Sequence, residues 1–199
     1  MSRNSRKQKI KTTEKIVIIC EGQSEECYIR SLLKENNLQT ENISYYNLNG
    51  GGYKIAQNYL ERNSKLINIA LVVMDLDRAT SVPNEKNKLK RLISLLEKLN
   101  IKNNIFLSYE NFENWVAACI NVDVAMLKRL SYAKGNGVYN FICNNNGSFQ
   151  NAKDYFEKLE LYYKKIDPNK KGVFNEDRID KENSSLYYFL DYCKVLLRK

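Results

Sequence analysis

The chain has no histidine. That absence removes Ser-His-Asp and Cys-His nucleophile systems, histidine general bases and histidine metal ligands. A bound metal must then rest on oxygen ligands, which favours Mg2+, Mn2+ or Ca2+ over zinc or copper. Chemistry near neutral pH falls to metal-activated water or to carboxylates with raised pKa. Cysteine is sparse and odd in number: Cys20, Cys27, Cys119, Cys143 and Cys193, with no Cys-x-x-Cys spacing. This argues against a zinc site and a disulfide framework, and reads the thiols as small buried hydrophobes. No apolar run reaches the roughly 18 residues that span a bilayer. Ile16 to Cys20 is too short for a signal core, so the expectation is a soluble, cytoplasmic protein with no membrane partner. Neither a Gly-x-x-x-x-Gly-Lys-Ser/Thr loop nor a Gly-x-Gly-x-x-Gly turn occurs, which removes the common nucleotide-binding signatures.

What the chain does have is basic charge and a core. Its 199 residues carry 43% apolar and 11% aromatic side chains, enough for one domain or one domain with an appended subdomain. The net charge is +9. Part of the excess is local: Arg3, Arg6, Lys7, Lys9, Lys11 and Lys15 form a basic arm, and Lys164, Lys165, Lys170 and Lys171 a second cluster. Such groups fit phosphate contacts, which give affinity without sequence specificity; they equally fit a solvated tail.

Periodicity predicts alternating strands and helices. Ile16 to Cys20 is a β-branched run suited to a strand buried on both faces. Ser24 is placed to cap a helix carrying Glu25 and Glu26 in its first turn. Further strands are expected at Ile43 to Leu48, Ile69 to Met74 and Ile105 to Tyr109, and helices at Tyr53 to Asn63, through Leu89 to Leu99, and after an Asn111 cap. Four alternations predict an α/β fold with a parallel sheet and right-handed crossovers. The expected division is a basic disordered arm over 1–14, the α/β domain over 15–122, and a helical extension over 123–199 packed on the same domain. In that extension Asn151 to Tyr163 and Ser184 to Leu197 read as helical.

Acidic residues fall where ligands of such sheets bind, beyond the carboxyl ends of the strands. Glu21 closes the first strand, and Asp75-Leu76-Asp77 the third. Alternation along an extended segment sends Asp75 and Asp77 to one side, where a divalent cation relieves their repulsion. Glu113 opens the helix after the fourth strand. Each has a local alternative: a turn or cap for Glu21 and Asp77, and a helix-dipole partner for Glu113. Arg78 is placed to meet transition-state charge or to pair with Asp77. Lys54, beside Gly50-Gly51-Gly52, and Lys134, in Tyr132-Ala133-Lys134-Gly135, are placed to reach a phosphate. Tyrosines at helical spacing (Tyr187, Tyr188, Tyr192) read as packing, although tyrosine also stacks bases.

Val17-Ile18-Ile19-Cys20-Glu21-Gly22-Gln23-Ser24-Glu25 followed by Val72-Val73-Met74-Asp75-Leu76-Asp77 resembles a Toprim domain. Cys20-Glu21-Gly22, Glu25, Tyr28 and Ser108…Phe112-Glu113-x-Trp115 are similar to the RloB-like family, within the Toprim proteins that include OLD-family nucleases. The resemblance covers roughly residues 14 to 140. It implies a Toprim-like parallel, Rossmann-like sheet and a divalent-metal-dependent endonuclease acting on DNA or RNA. Glu21 would be a metal ligand or general acid/base, Asp75 and Asp77 the Mg2+ or Mn2+ pair, and Glu113 a further catalytic carboxylate. Arg3, Arg6, Lys7, Lys54, Arg78 and Lys134 remain the nucleic-acid contacts. The family's link to abortive-infection loci implies anti-phage defence and an ATPase partner. An RNA-processing Toprim maturase, or a binding or scaffold protein without turnover, are the rival expectations. The chain departs from the family at Val116 to Ile120, where RloB-like chains usually carry a histidine, and at Ser108-Tyr109-Glu110-Asn111, which lacks their proline.

Overall fold

The computed structural model describes residues 14–132, 135–152 and 186–197. Four parallel strands form one sheet in the order β2-β1-β3-β4: β1 Ile16–Cys20, β2 Ile43–Asn47, β3 Ile69–Asp75 and β4 Lys102–Ser108. Each follows a β-branched or aromatic run, and the central pair is almost wholly buried, as helices on both faces require. β1 aligns Cys20 with Asn47 on one side and with Val73 on the other; β3 aligns Asp75 with Ser108.

Alternation along the strands divides the core in two. Ile18, Cys20, Leu71, Val73 and Phe106 face α1 (Gln23–Glu35) and α4 (Phe112–Cys119). Val17, Ile19, Val72, Met74 and Leu107 face α2 (Gly52–Asn63) and α3 (Pro83–Lys98). Thus α1 crosses on one face to place β2 outside β1, while α2 and α3 cross on the other to place β3 and β4. The winding direction reverses between β1 and β3, and the crevice beyond that reversal is where doubly wound sheets bind ligands.

The described part of the C-terminal third joins the first face. Leu127 of α5 (Val124–Arg129), Val138 and Ile142 of α6 (Val138–Asn144), and Phe189 and Cys193 of α7 (Phe189–Leu197) belong to the α1–α4 core. Phe106 meets Phe189 edge-on at 4.9 Å between ring centroids, and Tyr28 meets Phe112 at 5.6 Å. The expected Asn151 to Tyr163 helix lies almost entirely outside the described residues; Phe149–Ala152 is a 3-10 turn. No helix among the described residues is long and apolar enough to cross a membrane.

Local signals fared unevenly. Asn111 caps α4, its side chain accepting from the Asn114 N–H at 3.0 Å. Ser24 does not cap α1. The helix begins two residues earlier, with Gly22 as N-cap, and the Ser24 hydroxyl instead accepts from the Gly135 N–H at 3.1 Å. A tertiary partner has taken the group that local sequence assigned to the helix end. The last strand runs three residues earlier than expected, because Lys102 to Asn104 pair with Ile69 to Leu71 despite their polarity.

Candidate metal and phosphate site

Three strand ends build the site. The chain leaves β1 at Glu21, β3 at Asp75 and β4 at Ser108, so the reversal point between β1 and β3 is flanked by two carboxylates. They are joined: the Asp75 N–H donates to Glu21 Oε2 at 2.9 Å. The Glu21 N–H donates to the Val73 carbonyl at 3.1 Å, and the Glu21 carbonyl accepts from the Gly50 N–H at 2.8 Å. The second bond draws the glycine turn before α2 to the site. Gly50 (φ 76) and Gly52 (φ 63) occupy the left-handed region that this turn needs.

Asp75 is held from several sides. Its register partner Ser108, 2% exposed, donates from Oγ to Asp75 Oδ1 at 2.5 Å. The backbone N–H of Phe112, at the start of α4, favours the charged form of this carboxyl. From the opposite face, the Tyr53 hydroxyl lies 2.7 Å from the Asp75 carbonyl and 2.9 Å from that of Leu76. The Asp75 side chain is therefore oriented before any ligand arrives.

The electrostatics are those of a site short of positive charge. Burial pushes the Asp75 carboxyl up to about 8; the Ser108 bond opposes this, and the charges of Glu25 and Glu21 add to it. Burial likewise pushes Glu21 up to about 7, opposed by the Asp75 N–H and reinforced by Glu25, Asp77 and Glu85. Glu25 is 6% exposed and its carboxylate lies over Gly22, where an added Cβ would meet Oε2 at 3.0 Å. Among the described residues neither Glu21 nor Asp75 forms an ion pair.

The other sequence candidates are placed less centrally. β3 ends at Asp75, and Leu76 already has helical dihedrals (φ −72, ψ −35), so the alternation expected to align Asp75 with Asp77 does not continue. Asp77 is exposed at the start of a 3-10 turn with φ 38, its N–H bonded to the Glu110 carbonyl; its charge still acts on Glu21. Glu113 is half-buried in the first turn of α4. Arg78 is exposed beside Asp77, and no ion pair joins the two. Lys54 is exposed on the first turn of α2, whose N-terminus has no side-chain cap. Arg3, Arg6, Lys7, Lys134 and the Lys164 to Lys171 cluster lie outside the described residues.

Among the described residues no group of three or more His, Cys, Asp and Glu side chains is spaced to hold a metal ion. The built unit is a carboxylate pair. Such a pair suits Mg2+, which takes one or two carboxylates and completes its shell with waters and substrate phosphates. The all-oxygen donors and the upward pKa shifts fit a hard divalent cation. Sequence reasoning missed Tyr53 and the bonding role of Ser108. Strand register would have found Ser108, whereas Tyr53 reaches Asp75 only through the packing of α2 on the sheet.

No family model matches the chain, and no curated protein does. Among solved structures it is similar to the C-terminal region of the Burkholderia pseudomallei OLD protein. The two share 12% identity at a TM-score of 0.47, over 94% of this chain and all (100%) of that one. Likeness at this level identifies neither family nor activity.

Proposed function

We propose that this protein is a divalent-metal-dependent phosphodiesterase of Toprim type, cutting DNA or RNA. One observation carries the reading: Glu21 and Asp75 end adjacent central strands at the winding reversal, are bonded to each other, and are both pushed toward protonation. The sequence resemblance to Toprim proteins, drawn from these same residues, supports it.

Glu21 and Asp75 would hold Mg2+ or Mn2+, with Asp77 and Glu113 as further carboxylates. A bound ion would activate water and stabilise charge on the phosphate. The protein's own contribution is positional. Ser108 fixes Asp75, and the Asp75 N–H fixes Glu21 Oε2 while leaving Oε1 to accept or return a proton near neutral pH. The excess of cations, 32 Lys and Arg against 23 Asp and Glu, supports a polyanionic partner bound with strong salt dependence. Arg78 and Lys54, exposed near the strand ends, and Arg3, Arg6, Lys7 and Lys134 are the proposed phosphate contacts. The sequence resemblance to the RloB-like family supports a role in anti-phage defence, with an ATPase as the proposed partner.

The test is to incubate the purified chain with Mg2+ or Mn2+ and plasmid, single-stranded DNA or total tRNA, with Asp75→Asn in parallel. Metal-dependent cutting by the wild type alone supports the reading. Cutting confined to tRNA would move it to RNA processing, and salt-sensitive binding without turnover would leave a binding protein.

A further inference from the structure

The edge strand β2 carries two adjacent tyrosines that are employed differently. Alternation sends Tyr45 and Tyr46 to opposite faces of the sheet. On the α1 face Tyr45 is fully engaged. The Arg30 guanidinium lies 3.7 Å from its ring centroid, and its hydroxyl donates to Gln39 Oε1 at 2.8 Å. On the α2 face Tyr46 stacks on Tyr59, with centroids 3.8 Å apart and ring planes 22° from parallel. The Tyr46 hydroxyl has no hydrogen-bond partner among the described residues, and the residue is 36% exposed. Tyr59 covers one side of the ring, so this exposure falls on its outer side and edge. Core pairs such as Tyr28–Phe112 and Phe106–Phe189 meet edge-on. A near-parallel pair at the surface instead presents a flat aromatic face that a further ring can extend.

The stack stands beside the carboxylate site. Tyr46 is the register partner of Ile19, two residues before Glu21 on the adjoining strand. At ~3.3 Å per residue and ~4.8 Å between strands, its Cα lies about 8 Å from that of Glu21. The helix that supplies Tyr59 starts from the glycine turn whose Gly50 N–H donates to the Glu21 carbonyl. Ile55, 40% exposed, shares the Tyr59 stripe one turn earlier, and an added Cβ on Gly51 would meet its Cγ1 at 2.7 Å. Apolar surface therefore continues from the turn to the stack. Lys54 and Arg62 bracket it, about 12 Å apart along the helix axis. Both are exposed, and neither forms an ion pair among the described residues.

We infer that Tyr46 and Tyr59 form a base-stacking platform beside the carboxylate site, and that the nucleic acid bound there is single-stranded, with one unpaired base on Tyr46 and its flanking phosphates on Lys54 and Arg62. A base inside a duplex is already stacked on both sides and cannot lie on the ring. Every base has a π-face and phosphate contacts carry no sequence, so the platform selects strandedness rather than sequence. The inference rests on the nuclease reading above and names its substrate class.

Fluorescence anisotropy of labelled oligothymidylate and oligouridylate, and of their duplexes with oligoadenylate, tests it in EDTA, where metal-dependent cutting is prevented. Tyr46→Leu keeps an apolar side chain against Tyr59 and removes the π-face. It is expected to weaken single-strand binding about tenfold and duplex binding little, whereas Tyr46→Phe should bind like wild type. Tyr46→Trp keeps the test open should the leucine variant fail to fold: its added indole should be quenched by the single strands and not by the duplexes. Unchanged single-strand affinity in Tyr46→Leu, an equal loss on both kinds of ligand, or an unquenched indole overturns the inference and leaves the metal site standing. Tyr46-dependent single-strand binding without any Mn2+-dependent cutting by the wild type upholds the platform and overturns the nuclease reading. A wild type that binds none of these ligands overturns both.

Discussion

The Asp75 N–H donates to Glu21 Oε2 at 2.9 Å, so the carboxylate ending β1 is tied to the residue ending β3. The bond spans the line along which the sheet reverses its winding, and ties the Glu21 carboxylate to the backbone of Asp75. It also explains why Glu21 rises less than burial alone would make it, since the N–H favours the charged form.

This pair makes the metal-free protein less stable as pH rises. Carboxyls ordinarily titrate near ~3.9 for Asp and ~4.3 for Glu. In the fold Asp75 holds its proton to about 8 and Glu21 to about 7. Between those limits the folded state binds more protons than the unfolded state, so their contribution is full below the lower values and lost as pH passes the upper ones. The urea midpoint, measured without metal, is expected to fall from pH 5 to pH 8.5, and Asp75→Asn should flatten the decline. Saturating Mg2+ should stabilise more at pH 8.5 than at pH 5, because it binds the deprotonated form. A midpoint climbing over this range in wild type would contradict the assignment.

Ser108→Ala removes the donor to Asp75 Oδ1. That bond favours the carboxylate, so its loss raises the Asp75 pKa further and shifts metal uptake to higher pH. A hydrogen bond of ~1 kcal/mol corresponds to ~0.7 of a pH unit. The midpoint of Mn2+ binding against pH should move up by about that much, whereas Ser108→Thr, which keeps a hydroxyl, should move it less. An identical midpoint in Ser108→Ala would remove Ser108 from the site.

Tyr53→Phe should loosen the β3 end without touching the carboxylates. The hydroxyl serves the Asp75 and Leu76 carbonyls from a side chain 5% exposed. Leaving them without this donor should cost about 1–2 kcal/mol in urea denaturation. Because the turn carrying Asp77 hangs from these carbonyls, proteolysis between Leu76 and Pro83 should also accelerate. Unchanged stability and cleavage would show that water replaces the phenol.

Asp77→Gly separates backbone from charge. The residue sits at φ 38, a conformation glycine adopts without strain. Stability should be unchanged or higher, by up to about 1 kcal/mol. If the Asp77 carboxylate takes part in the site, cleavage nevertheless falls; a variant as active as wild type and at least as stable would confine Asp77 to the turn.

The centre of the sheet was legible because β1 and β3 are uninterrupted apolar runs, each ending at an acid. The site was legible at those ends, at Glu21 and Asp75. What could not be read depended on contacts distant in sequence. Ser24 looked like a cap, yet its hydroxyl serves Gly135, 111 positions away. Asp77 looked like the twin of Asp75, yet Leu76 turns the chain because its N–H bonds to the Ser108 carbonyl at 3.0 Å and the next bonds to Glu110. Short helices such as α5 and α6 carry too few turns for an apolar period to emerge.

The most direct test of the central claim is the Mn2+-dependent cleavage rate of nucleic acid by wild type beside Asp75→Asn and Glu21→Gln, all folded by circular dichroism. Loss of either carboxylate is expected to slow cleavage by roughly a hundredfold or more, about 3 kcal/mol of transition-state stabilisation, with no cutting in EDTA. Equal rates in the three proteins, or wild-type cutting that persists in EDTA, would contradict the account.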